Sequence, residues 1–114
     1  MLNNKERDSI AEAVKSWKYR QNQRHKVLKF LVDHKNMWTK PEALREEYTE
    51  IKDSRVVLYD MALRNPDDTP RGLGYYERQR IYPKGYSGKP ILEFREDLGY
   101  RIRPEYFKAV LQNV

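Results

Sequence analysis

Gly74-Tyr75-Tyr76-Glu77-Arg78-Gln79-Arg80-Ile81-Tyr82, Pro83-Lys84-Gly85-Tyr86-Ser87-Gly88-Lys89-Pro90 and Ile91-Leu92-Glu93-Phe94-Arg95 follow one another in the C-terminal half of this 114-residue chain. The first block alternates Tyr76, Arg78, Arg80 and Tyr82 with Tyr75, Glu77, Gln79 and Ile81. The third alternates Leu92 and Phe94 with Ile91, Glu93 and Arg95. A period of two is the signature of a strand, because successive side chains leave opposite faces. Gly85 and Gly88 predict a connection longer than a tight turn. The three blocks together predict a basic, tyrosine-rich β-hairpin. Beyond it, Leu98-Gly99-Tyr100-Arg101-Ile102-Arg103 predicts a turn and a short third strand. Pro104 then opens a last helix carrying Tyr106, Phe107, Val110 and Leu111.

Upstream of the hairpin the spacing becomes helical. From about Asp8 to His34, Ile10, Val14 and Trp17 share one face, and Val27, Leu28 and Leu31 share another stretch of face. Asp8 or Ser9 is placed to cap the start. The polar run from Lys18 to Lys26 leaves two readings: one long helix, or two that meet near Gln21-Asn22, the second covering about Gln23 to His34. Asn36-Met37-Trp38 is a short apolar break. Thr39-Lys40-Pro41-Glu42 matches a capping box, with Pro41 in the first turn, where a missing N–H costs nothing. It predicts a helix over about Lys40 to Tyr48 that buries Ala43 and Leu44, with Tyr48 as a further candidate. Thr49 to Lys52 reads as a turn. Asp53 or Ser54 caps a third helix that ends near Arg64, before Asn65-Pro66. Val57, Leu58, Met61 and Ala62 make its apolar face, and Val56, Tyr59, Asp60 and Leu63 lie opposite. Residues 67–72 read as loop.

The order of elements, short helices followed by an Arg/Lys/Tyr hairpin, resembles the winged helix-turn-helix DNA-binding family. That resemblance implies an α+β fold of three helices plus a β-hairpin wing over residues 23–103. Residues 1–22 form an N-terminal helical extension. Residues 104–114 form a C-terminal helix packed on the extension or on a dimer partner. It also implies a helix in the DNA major groove and a wing against the backbone or minor groove. Phe94-Arg95-Glu96-Asp97-Leu98-Gly99-Tyr100-Arg101-Ile102 is similar to the end of the wing in response-regulator effector domains, with Glu96-Asp97 interrupting the pattern.

Charge narrows the partner. The formal net charge is +6, a bias toward nucleic acid or another anionic surface. Residues 1–35 carry 9 Lys/Arg against 4 Asp/Glu, residues 36–70 carry 5 against 8, and residues 71–114 carry 9 against 5. Anion contact is therefore expected from the first helix region and the hairpin rather than from the middle of the chain. The candidate DNA-binding residues are Arg24 on the N-terminal basic run, Ser54, Arg55 and Tyr59 on the third helix, and Arg78, Arg80, Lys84, Tyr86 and Lys89 on the hairpin. Forked or mobile cations neutralise phosphates, and neighbouring tyrosines pack on sugars or donate to phosphate. A charged hairpin also serves simply to keep sheet edges from aggregating. Ile10, Val14 and Trp17, with Phe107 and Leu111, are the candidate dimer interface if the terminal helices pair between two chains.

Other chemistries find little footing. The absence of cysteine removes disulfides, thiolate metal sites and thiol nucleophiles. His25 and His34 do not stand in a metal-ligand spacing, and the five glycines sit in turns rather than in a phosphate-cradling loop. The chain is expected to be no enzyme, to need no cofactor and to take no small-molecule ligand. No apolar run approaches the ~18 residues that span a bilayer, and the first residues lack the apolar core of a signal peptide. A cytoplasmic location, with the nucleoid if DNA is bound, is the expectation. Double-stranded DNA and a second copy of the chain are the expected partners. The alternatives are a protein-docking module on the same scaffold and RNA binding through the hairpin tyrosines.

Overall fold

The polar stretch between residues 18 and 26 divides the N-terminal helical pattern into two helices, α1 (Asn4–Tyr19) and α2 (Gln23–Asp33). Gln21 takes a left-handed conformation, φ +54°. The Gln21 amide donates to the Lys18 carbonyl at 3.1 Å and the Asn22 amide to the Trp17 carbonyl at 2.9 Å, which closes α1 in a Schellman motif. Asn22 then caps α2, its side chain accepting from the Arg24 amide at 2.9 Å. The α2 end repeats the device. Lys35, at φ +57°, donates to Val32, and Asn36 donates to Leu31. The start of α1 differs from expectation, since Asp8 lies within the helix and not at its cap.

The computed structural model describes residues 4–48, 51, 53–62 and 90–114. Among these the remaining elements are α3 (Pro41–Glu47), α4 (Ser54–Ala62), the strands β1 (Leu92–Arg95) and β2 (Gly99–Ile102), and α5 (Pro104–Asn113). The architecture is α+β, five helices and one antiparallel hairpin among the described residues. The hairpin block at Gly74–Tyr82 and its connection through Lys89 lie outside the described residues, so the strand at 91–95 is seen pairing with the short strand that follows it. Leu92 faces Ile102, Glu93 faces Arg101, Phe94 faces Tyr100 and Arg95 faces Gly99.

The capping box expected at Thr39 is not formed. Lys40 is the N-cap of α3 and makes no side-chain capping bond, although Pro41 does occupy the first turn. Thr39 is recruited elsewhere. Its amide donates to the Tyr100 carbonyl and its carbonyl accepts from the Tyr100 amide, both at 2.8 Å. Its hydroxyl donates to the Met37 carbonyl at 2.9 Å. Thr39 thus stands one position before the N-cap and forms a long-range β-bridge. Asn36 extends the same seam, its side-chain amide donating to the Ile102 carbonyl and accepting from the Ile102 amide, each at 2.8 Å. β2 is consequently bonded on both edges, to the segment around Thr39 on one side and to β1 on the other. Gly99 permits this approach. Its φ is +102°, and a Cβ there would sit 2.4 Å from the Thr39 carbonyl oxygen.

One core gathers side chains from every described element. Ile10, Val14 and Trp17 of α1, Val27, Leu28 and Leu31 of α2, Leu44 of α3, Leu58 and Met61 of α4, Leu92 and Ile102 of the sheet, and Tyr106 and Val110 of α5 are all buried. Each such apolar side chain contributes roughly 1.5–3 kcal/mol relative to exposure. α1 packs chiefly on α5, and α4 packs on α3, α2 and β1. Ala43, expected inside, is exposed on α3, because Leu44 alone points inward from that short helix. No described helix is long and apolar enough to cross a membrane.

Candidate nucleic-acid interface

α3 and α4 are joined through residues 48–53 and fastened at their N-terminal ends. Asp53 caps α4, its carboxylate accepting from the Val56 amide at 3.3 Å. Ser54 is almost wholly buried and donates from its hydroxyl to the Pro41 carbonyl at 3.2 Å. Arg55 reaches across to Glu42, with 2.6 Å between Nη2 and Oε1. Pro41, Glu42, Arg45, Asp53, Ser54 and Arg55 together line a shallow, open, polar cleft. The division of α4 into two faces agrees with its spacing. Leu58, Met61 and Ala62 are buried, and Val57 packs against the core. Val56 and Tyr59 look outward at 38% and 37% exposure, beside the more open Arg55.

The expected DNA-binding residues therefore separate. Arg55 and Tyr59 share the outward face of α4. Ser54 does not, since its hydroxyl is committed to the α3–α4 junction. Arg24 is a correction: it is only 7% exposed, and its guanidinium lies over the Trp17 ring, 5.8 Å from the centroid. A weakly hydrated planar cation stacks on an indole more readily than an ammonium would, so this arginine packs inside the N-terminal helix pair. Arg78, Arg80, Lys84, Tyr86 and Lys89 lie outside the described residues. Among the described residues, the cations that α1 and its turn leave exposed are Arg7, Lys15, Lys18 and Arg20, the last two flanking Tyr19, which is 90% exposed. The tip of the β1–β2 hairpin presents Glu96 and Asp97 to solvent.

The expected dimer residues also separate. Ile10, Val14 and Trp17 have no exposed surface, because α5 of the same chain covers them. A surface between copies cannot use them without opening the core. On α5, Leu111 is half exposed and Phe107 is partly buried against the core, and these two are what remains of that set.

Sequence reasoning missed a cluster on the sheet. The Arg101 guanidinium lies 4.3 Å from the centroid of the Trp38 ring, and its Nε donates to the Glu93 carboxylate at 2.5 Å. Arg103 stands on the other side of Glu93 at 3.8 Å and donates from Nε to the Pro90 carbonyl at 2.9 Å. Alternation along Gly99–Ile102 puts Arg101 and Arg103 on the face opposite Tyr100 and Ile102, which was a readable signal. The approach of Trp38 was not, because it depends on the Thr39–Tyr100 pairing. No group of three His, Asp or Glu residues suited to holding a metal ion occurs among the described residues. Comparison with protein-family models, with curated proteins and with solved structures finds no match to this chain.

Proposed function

We propose that this chain is a winged helix-turn-helix domain that binds double-stranded DNA, as a small transcriptional regulator. The observation that carries the reading is the seam at β2. A single β-bridge at Thr39, just before α3, ties that segment to the hairpin that follows α4, with the α3–α4 pair fastened between them. The α+β order is compatible with the resemblance, whose expected wing strand at 74–82 lies outside the described residues. In this reading α4 enters the major groove with Arg55, Val56 and Tyr59 outermost. The backbone is met by Lys15, Lys18 and Arg20 and by the cations of residues 78–89. Glu96 and Asp97 repel phosphate, so the β1–β2 tip stays off the backbone.

The test is fluorescence anisotropy with random-sequence duplex DNA, single-stranded DNA and duplex RNA over a salt series. Duplex-DNA binding with a steep negative log–log salt slope supports the proposal, since each neutralised phosphate releases counterions. Absence of binding at low salt overturns it. A docking module is the second reading, favoured by the outward Val56 and Tyr59 and by the ion pair that neutralises Arg55. Under that reading Val56→Asp abolishes partner capture, whereas Arg78→Ala with Arg80→Ala leaves it intact.

A further inference from the structure

We infer that α4, in the DNA-binding reading on which this inference rests, selects its site by apolar contact with thymine methyl groups rather than by forked hydrogen bonds to guanine. A guanine edge in the major groove offers two acceptors and is read by a cation presented as a fork. Among the described residues of α4 the cation is Arg55, and it is already engaged by Glu42 at 2.6 Å. Redirecting it to a base would leave Glu42 uncompensated beside a polyanion. Ser54, the small polar residue of the first turn, is buried and bonded to the Pro41 carbonyl. Val57 and Leu58 turn toward the core, and Asp53 holds the helix cap. Among the described side chains of α4, those set outward beside Arg55 are the branched aliphatic head of Val56 and the ring of Tyr59. They stand three residues apart, so they are neighbours on one helix face. The floor of the major groove carries one apolar group that an aliphatic side chain can read, the C5 methyl of thymine.

Uracil lacks that methyl and keeps the Watson–Crick pairing of thymine. Anisotropy is therefore measured on three duplexes of equal length at one low salt concentration: alternating A·T, alternating A·U in deoxyribose, and alternating G·C. The expected order is A·T tightest, with a loss of about fourfold for each contacted methyl removed, the worth of one buried methylene-sized group. In Val56→Ala the A·T and A·U affinities converge. Val56 is exposed, so the helix should survive the change, and a circular dichroism melt verifies that. Equal binding of A·T and A·U by the unsubstituted protein overturns the methyl inference and leaves the DNA reading standing. Preference for G·C overturns it in favour of Arg55 leaving Glu42. Failure to bind any of the three duplexes overturns the DNA reading itself.

Discussion

Gly99 stands where no other residue fits. Its φ of +102° is unfavourable for an L side chain, and the space a Cβ needs is filled by the Thr39 carbonyl. The obstacle is backbone, which cannot swing aside as a side chain can. Gly99→Ala is expected to cost at least ~2 kcal/mol, the strain of a non-glycine residue in that region together with loss of the Thr39–Tyr100 seam. Urea denaturation gives the number, and a midpoint equal to that of the unsubstituted chain contradicts it. Asn36 makes a parallel case. Its side chain pairs with both backbone groups of Ile102. Asn36→Ala leaves that donor and acceptor unsatisfied, for an expected loss of ~1–3 kcal/mol. Neither role is legible in the chain as written. Glycine within a Gly-Tyr-Arg-Ile strand signals a turn, and asparagine beside Met37-Trp38 signals a break. The partner that gives each its function lies sixty or more positions away.

Elements were more legible than their partnerships. The split between α1 and α2 was one of two readings of the polar run at 18–26, and the structure selects it through the left-handed Gln21. Val57, Leu58, Met61 and Ala62 were placed on the inner side of α4 by spacing alone, and the final helix began at Pro104 as expected. The capping box at Thr39 failed because α3 begins one residue later than it requires, with Lys40 as the N-cap, and the Thr39 hydroxyl donates to the Met37 carbonyl instead. Arg24 misled too: a basic residue in a polar run looks solvated until a tryptophan seven positions earlier proves to lie beneath it. The Schellman ends suggest a substitution of opposite sign to those above. Gln21 carries a left-handed penalty of roughly 1–2 kcal/mol, whereas glycine there loses only its own extra chain entropy of roughly 0.5–1 kcal/mol. Gln21→Gly is therefore expected to stabilise the fold by about 0.5 kcal/mol, read as a raised melting temperature. A lowered one indicates that α1 is not held by this closure.

At the scale of the molecule the charge is segregated, and that shapes what the protein can approach. The acidic excess sits between residues 36 and 70, on the segment that contributes α3 and α4. Duplex contact in the proposed reading draws its electrostatic attraction from both sides of that segment, and so should respond to changes there additively. Arg78→Ala with Arg80→Ala is expected to lower the magnitude of the salt slope by about 2, and Lys15→Ala with Lys18→Ala by a similar amount. An unaltered slope in both double variants contradicts the assignment of phosphate contacts. The segregation was visible in the sequence, but the retirement of Arg24 into the core and the acidic hairpin tip were not.

The doubly bonded strand β2 also sets the order in which the protein can assemble. Asn36 and Ile102 are 66 positions apart, so their bonds form only after a long excursion of chain has been closed, and contacts of such separation slow folding. The helices on either side can appear and vanish locally, but the seam exists only in the finished molecule. In native-state hydrogen exchange the amides of Thr39, Tyr100 and Ile102 should then exchange only through whole-molecule opening, while those in the first turn of α1 exchange by fraying. A clock for global unfolding is thus written into three backbone protons.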